Sequence, residues 1–203
     1  MVRFQWKTKM AASETSRQIL TIAREILAAD GLGAVSFDAI ARRLGRSKQA
    51  VLYWYPTKRD LLAAMFLPWL EAESETACRA VSEVSGRTEA IASFVRAVAQ
   101  FHLADLDRFR MMYLVPQTTG LRSNDRGALV AGDEVYSVTN RLYGALTDHL
   151  SGETDAARKE AVAIHAAVLG LVMMVAFADA IRDPLKHTRD DLVDALIASF
   201  TAC

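Results

Sequence analysis

Cysteine, proline and glycine are all scarce in this chain. Its 203 residues include 2 Cys, 4 Pro and 10 Gly. The two cysteines, Cys78 and Cys203, lie too far apart in sequence to suggest a disulfide scaffold or a set of zinc ligands. Alternating apolar and polar segments of any length are missing, and helix-period patterns run almost from end to end. These features predict an all-α protein of about nine helices.

A secretory leader is also missing, because the first ten residues are basic but contain no apolar run. We therefore expect a cytoplasmic location. Residues 161–178 are apolar over the minimum length of a membrane span. Their many small side chains and the flanking Glu160 and Asp179 favour a helix buried in a core or subunit interface instead. No membrane association is predicted.

The net charge of zero conceals an asymmetry along the chain. Residues 1–60 carry 11 Lys or Arg against 5 Asp or Glu, whereas residues 61–203 carry 13 against 19. A basic first third beside an acidic remainder suits a small DNA-binding domain attached to a body that does not touch DNA. We predict a DNA-binding domain over residues 1–60 and a helical ligand-binding and dimerisation domain over residues 61–203.

Residues 36–58 carry the pattern of a helix-turn-helix followed by the start of another helix. Ala41 is small enough for the second helix to pack across the first, Gly45 supplies a turn that tolerates positive φ, and Val51 anchors the second helix. Such a unit places its second helix in the major groove of DNA. Because the motif lies in the basic part of the chain, both features predict DNA binding.

Polar and basic residues around the predicted recognition helix are candidates for DNA contact. Lys48 and Gln49 lie in its first turn, where lysine can bond guanine and glutamine can bond adenine at two points. The candidates for phosphate contact are Ser36, Arg42, Arg46, Ser47 and Lys58. The alternative is that the serines only cap helices and the arginines are only solvated.

From Ser47 to Lys58 the chain resembles the recognition region of TetR-type transcriptional repressors. The spacing of the serine, the apolar residues, the aromatic residues and the final lysine fits, and Leu61-Leu62 follow as in the family. The resemblance covers residues 14–67 at the level of motif and the remainder only in architecture. It implies three small N-terminal helices, a connecting fourth helix and a five-helix body.

Three positions depart from the family pattern. Leu52 replaces the first aromatic residue, Trp54 replaces the usual histidine, and Arg46 replaces an apolar turn residue. The resemblance implies that the hydroxyl of Tyr53 reaches a phosphate. Trp54 is kept as a candidate for the DNA interface, although Trp54 and Tyr55 are better suited to closing the small core.

The predicted function is a DNA-binding transcriptional regulator, expected to be a repressor released from a palindromic operator by a small-molecule effector. Residues 154–181 and a helix starting at Thr188 carry apolar faces, which predicts a homodimer formed through helices 8 and 9. The alternative is that both helices belong to the intramolecular core.

Isolated polar groups on apolar helix faces are typical of a small-molecule pocket. The effector-binding candidates are His102, Met111, Tyr113, Asn140, Tyr143, His165, Met173 and Phe177. No metal site, cofactor or catalytic residue is predicted, because paired carboxylates, nucleophile motifs and glycine-rich phosphate loops are missing. The alternative is a metal-responsive sensor or a helical-bundle enzyme built on His102, His149 and His165.

Pro68 falls inside the predicted fourth helix. Within a helix its ring removes one backbone hydrogen bond and produces a kink, which would make it a candidate hinge between the two domains. The alternative is that one helix ends at Leu67 and another begins after it.

Overall fold

The structure, a computed structural model, describes residues 14–114, 129–183 and 185–202. Within these ranges the chain is helical and contains no strand, which confirms the predicted all-α fold. Its α-helices are α1 (Glu14–Asp30), α2 (Phe37–Leu44), α3 (Lys48–Trp54), α4 (Lys58–Ser82), α5 (Arg87–Leu103), α6 (Leu106–Phe109), α7 (Leu129–Thr147), α8 (Thr154–Ile181) and α9 (Arg189–Thr201). A 3-10 turn covers Leu32–Ala34, and a π-helical turn covers Arg110–Leu114.

The chain divides into two compact units between Phe66 and Leu67. This boundary lies inside α4, so residues 58–66 of that helix belong to unit 1 and the remainder to unit 2. The helix also continues through Pro68, so the alternative of a helix end at Leu67 is wrong.

Unit 1 is built on the helix-turn-helix that the sequence predicts. The side chains of Ser36 and Ser47 cap α2 and α3 by accepting one hydrogen bond each, from the backbone N–H of Ala39 and of Ala50 respectively. Gly45 ends α2 in the left-handed region, with φ 67°. Ala41 and Val51 are buried, which confirms the packing roles predicted for them.

Unit 2 packs its longer helices around one apolar core. Phe94, Ile91 and Val98 on α5 are fully buried and belong to the same cluster as Leu146 on α7 and Ile164 on α8. Ion pairs between helices add to this packing. Arg87 on α5 makes a bidentate contact with Glu160 on α8, and Arg96 on α5 pairs with Asp194 on α9.

A short helix and a π-helical turn follow α5. The α5 helix ends at Leu103, and Asp105 caps the short α6 by accepting from the backbone N–H of Arg108 at 2.9 Å. The π-helical turn then follows α6 directly. Turns of this type are rare and are often found at functional sites.

The α8 helix has the bounds predicted from the sequence but is not buried all round. One face contributes Ile164, Val168 and Val172 to the core. On the opposite side four large apolar side chains are about half exposed: Met173 (46%), Met174 (55%), Phe177 (58%) and Ile181 (55%). By length and composition alone α8 could cross a membrane, a test that core helices of soluble proteins also pass.

Candidate DNA interface and a buried polar cluster

The recognition helix α3 presents its first turn to solvent. Lys48 and Gln49 are exposed, and Ala50 and Val51 face the interior of unit 1. Because both side chains are exposed, an amide and an ammonium group can reach the edges of bases. The helix is only seven residues long, and the Ser47 cap fixes where it begins.

Lys48 has a partner that sequence reasoning missed. Its Nζ lies 2.8 Å from Oδ2 of Asp38, which is exposed in the first turn of α2. The pair joins the two helices of the motif at their N-terminal ends. Lys48 therefore competes between Asp38 and DNA, whereas Gln49 has no such competitor among the described contacts.

Aromatic residues at the end of α3 divide between surface and core. Tyr53 is 74% exposed, and the Trp54 ring meets it edge-on with centroids 5.2 Å apart. Tyr55 is buried, and its hydroxyl is hydrogen-bonded to Oγ of Ser16 on α1 at 2.8 Å. The exposed pair can reach a nucleic acid backbone, and Tyr55 closes the core as predicted.

The start of α4 is already capped by its own side chains. The backbone N–H of Thr57 donates to Asp60 at 3.0 Å, and the backbone N–H of Asp60 donates to Oγ1 of Thr57 at 3.1 Å. These two reciprocal bonds form a capping box. Lys58 turns its Nζ toward the carbonyl of Leu32 at 3.5 Å. An anion site here would have to share these donors with their existing acceptors.

Ser36, Arg42 and Arg46 are exposed around the same motif. Neither arginine takes part in an ion pair within the described part of the chain, so both charges are available to phosphates. The hydroxyls of Ser36 and Ser47 already accept their capping bonds, at 3.1 and 3.3 Å. They retain only donor capacity for a phosphate oxygen.

Unit 2 contains a buried polar cluster, which we call the Glu73 cluster: Glu73, His102, Tyr113, Tyr143 and His165. Glu73 is 1% exposed, and its Oε1 accepts from Nε2 of His165 at 2.8 Å. Its Oε2 accepts from the hydroxyl of Tyr113 at 2.7 Å. Nδ1 of His165 is in turn hydrogen-bonded to the hydroxyl of Tyr143 at 3.1 Å. The cluster joins α4, α5, α7, α8 and the π-helical turn.

His102 is the member of the Glu73 cluster that lacks hydrogen bonds. Its side chain is fully buried, and its Nε2 lies 3.3 Å from Oε1 of Glu73. Neither ring nitrogen has a hydrogen-bond partner of acceptable geometry. The imidazole is surrounded by the rings of Phe101, Phe109 and Tyr113, whose centroids lie 5.1 to 5.4 Å away.

The charge of this cluster resides on the carboxylate. Burial acts to raise the pKa of Glu73, but the neighbouring imidazoles of His102 and His165 outweigh burial and lower it to about 2. Burial and the Glu73 charge raise the pKa of Tyr113 and of Tyr143. Both phenols therefore remain hydrogen-bond donors, and Glu73 remains an anion at neutral pH.

The structure brings together four of the eight effector-binding candidates: His102, Tyr113, Tyr143 and His165. Met111 is half-buried on the π-helical turn beside them. Asn140, Met173 and Phe177 do not join the cluster, because their side chains are exposed on the surfaces of α7 and α8. Glu73 was missed, although Glu73, Ala77 and Val81 recur at the four-residue spacing of a buried helix face.

The alternative site built on three histidines does not form. His149 lies in the turn that follows α7 and makes no described contact with His102 or His165. Across residues 14–114, 129–183 and 185–202, no group of three His, Cys, Asp or Glu side chains is placed to hold a metal ion.

This geometry defines a helix-turn-helix DNA-binding protein with a separate helical body. Residues 19–65 match the family model described as bacterial regulatory proteins, tetR family. This match supports a DNA-binding transcriptional regulator of the TetR type, as the resemblance implied.

Solved structures share the fold over nearly the whole chain. A tetR family transcription regulator from Shewanella sp. PV-4 has 15% identity and a TM-score of 0.62, covering 93% of this chain and 96% of its own. The transcriptional regulator SCO7518 from Streptomyces coelicolor A3(2) has 22% identity and a TM-score of 0.63, covering 93% of this chain and 99% of its own. FadR from Bacillus subtilis, in complex with stearoyl-CoA, has 16% identity and a TM-score of 0.63, covering 92% and 97%. No functionally curated protein matches the sequence.

Proposed function

We propose that this regulator is a homodimeric, cytoplasmic repressor, without enzymatic activity, that leaves a palindromic operator when a small molecule binds in unit 2. The observation that carries the DNA-binding part is the exposed first turn of α3, with Gln49 and Lys48 available to base edges. Arg42, Arg46 and Tyr53 surround this turn and supply the contacts with phosphates that position it.

The operator contact is tested by selecting binding duplexes from a random DNA library with the full chain. We expect a palindromic consensus with two half-sites about one helical turn or more apart. Gln49→Ala should relax the preference at one base pair of each half-site, whereas Arg42→Ala should weaken all sequences alike. A consensus that is unchanged in both Gln49→Ala and Lys48→Ala would exclude α3 from the groove.

The dimer is proposed to form through α8 and α9. The exposed face of α8 carries Met173, Met174, Phe177 and Ile181, and exposed apolar patches of this kind mark association surfaces. The exposed positions of α9 include Ala195, Ala198 and Ser199, whose small side chains allow close helix approach. Two copies of each helix would form a four-helix bundle about a two-fold axis.

The dimer is tested by light scattering on the purified chain. Phe177→Asp should give a monomer and abolish binding to the selected operator, because a lone half-site contact is weak. Tyr136→Asp is the matched control, since Tyr136 is 66% exposed on α7 and outside the proposed surface. A Phe177→Asp protein that remains dimeric would rule out this face.

The effector is proposed to bind at the Glu73 cluster. The cluster is buried, polar and joined to the second part of α4, and the first turns of α4 belong to the DNA-binding unit. A ligand that favours a different placement of Glu73 would therefore also bias α4, as an effector must. The complex of FadR with stearoyl-CoA supports an effector site in a protein of this fold.

A further inference from the structure

We propose that the Glu73 cluster takes the carboxyl group of an organic acid, which binds at Nδ1 of His102 as an ion pair. This proposal rests on the proposed function and specifies the chemical class of its effector. It starts from the one member of the cluster that is buried without hydrogen bonds.

The ring of His102 lacks a partner where every other member of the cluster has one. Its Nδ1 is fully buried and makes no hydrogen bond. Buried polar atoms in folded proteins are nearly always paired, so an unpaired one suggests a place for a polar atom from elsewhere. His102 lies in the last turn of α5, where the helix dipole favours a cation.

The balance of charges selects an acid rather than an amine. Two imidazoles contact a single carboxylate oxygen, and the described ion pairs give Glu73 no lysine or arginine. The two imidazoles could together carry two positive charges, whereas Glu73 supplies only one negative charge to balance them. A bound carboxylate supplies the missing negative charge, whereas an ammonium group would have to displace the histidines from Glu73.

The charged groups around His102 are compatible with this polarity. Arg108 follows in α6, with its guanidinium 4.0 Å from the centroid of the Phe101 ring and its buried Nε unpaired. Phe101 lies between Arg108 and His102, and the two rings are 5.1 Å apart. Asp105, whose carboxylate lies 3.9 Å from the guanidinium of Arg108, offsets part of that charge. Arg158 on α8 lies 5.7 Å from the ring centroid of Tyr143. Arg158 has no ion pair among the described contacts and favours an anionic ligand.

The proton balance of the step is simple. The acid enters the apolar interior as the neutral molecule, its O–H bond breaks, and a new N–H bond forms at Nδ1 of His102. The carboxylate and the imidazolium remain as a hydrogen-bonded ion pair, and Glu73 stays ionised. Since such acids are ionised in neutral solution, net binding takes up one proton from the buffer for each ligand.

For a ligand to enter the cluster, the π-helical turn has to move. It carries Tyr113, which bonds to Glu73, together with Met111 and Met112, whose flexible side chains adapt to new packing. Its first residue, Arg110, is fixed to α8 through the carbonyl of Ala176 and the carboxylate of Asp179. The turn can therefore remodel beyond Arg110 while its start remains attached.

The test is calorimetric titration of the full chain with hexanoate, octanoate and benzoate, each paired with the amine and the alcohol of the same carbon skeleton. Titrations in two buffers of different ionisation enthalpy measure the protons taken up. We expect acids to bind in preference to amines and alcohols, with uptake of about one proton per ligand. In the range above neutral pH, the affinity should rise about tenfold for each unit by which the pH is lowered.

His102→Gln should weaken acid binding by about tenfold or more and abolish proton uptake, because the amide cannot carry the charge. His149→Gln is the matched control, and its affinity should equal that of the native chain. Circular dichroism establishes that each variant folds. The selectivity for acids and the proton uptake are measured on the native chain, so they do not depend on the folding of any variant.

Three results would overturn the acid site: preference for the amines, acid binding without proton uptake, or no binding by any of the three series. Binding to the selected operator is measured in parallel. An operator complex released by some other compound would leave the proposed function standing, whereas failure of the chain to bind any selected DNA would remove it.

Discussion

Nζ of Lys48 and Oδ2 of Asp38 lie 2.8 Å apart and join the first turns of the two helices of the DNA-binding motif. Both side chains are about half exposed, so the pair contributes little to stability. Its position matters more than its strength. Whenever α3 enters a major groove, the carboxylate of Asp38 is carried toward the phosphates together with the lysine.

Asp38→Asn should therefore strengthen binding to DNA of random sequence by several-fold. The substitution removes one anion near the DNA backbone, which should steepen the dependence of log affinity on log salt by about one. Because this gain does not depend on sequence, the ratio of operator to random-sequence affinity should fall. Fluorescence anisotropy at several salt concentrations measures both quantities.

Glu14→Gln provides the control for Asp38→Asn. Glu14 forms an exposed ion pair with Arg17 at the start of α1, so this change also removes one negative charge from unit 1. We expect a much smaller change in affinity. Equal effects of the two substitutions, or weaker binding by Asp38→Asn, would show that Asp38 does not restrain Lys48.

Gly45→Ala should destabilise unit 1 by about 1 kcal/mol, because Gly45 has φ 67° and an alanine is strained there. A Cβ at this position would meet nothing within 4 Å, so the cost comes from the backbone conformation alone. Gly144→Ala in α7, equally free of contacts, should be neutral or stabilising. Urea denaturation measures both, and equal effects would contradict the strain argument.

Much of the DNA-binding unit could be predicted because its signals are local. Ser36, Gly45 and Ser47 mark helix ends by their own backbone and capping chemistry, and each does so in the structure. The role of Asp38 could not be predicted, because an acidic residue in the first turn of a helix is common. Its contact with Lys48 depends on how α2 and α3 cross.

The Glu73 cluster was harder to predict because it assembles from five separate segments. Glu73 stands between Glu71 and Glu75, which are both exposed, so acidity alone does not distinguish it. The four-residue recurrence with Ala77 and Val81 was the available signal. The apolar pattern of α8 likewise could not tell its core face from its exposed face, since both are apolar.

Tyr55→Phe should lower the free energy of unfolding of unit 1 by about 1 kcal/mol. The change removes the buried hydrogen bond between the Tyr55 hydroxyl and Ser16, whose atoms lie 2.8 Å apart, without changing the shape of the ring. A double-mutant cycle with Ser16→Ala isolates the interaction, and thermal or urea unfolding measures it. Strictly additive effects would mean that the two hydroxyls do not interact.

The stability of unit 2 should depend on the ionisation of Glu73 in acid. The pKa of Glu73 is about 2 in the folded chain, below its ordinary value of 4.5, so the unfolded chain binds the proton first as the pH falls. The contribution of Glu73, on the order of 3 kcal/mol from this difference, is complete above pH 4.5 and is lost between about 4.5 and 2.

Glu73→Gln keeps the size of the side chain but cannot ionise, so its stability should lack this acid-dependent component. The difference in unfolding free energy between the native chain and Glu73→Gln should be constant from pH 7 down to about 4.5 and shrink below it. Glu71→Gln, an exposed change on the same helix, should follow the native pH profile. If the native and Glu73→Gln profiles stay parallel through that window, folding does not lower the pKa of Glu73, and the charge balance that selects an acidic effector loses its support.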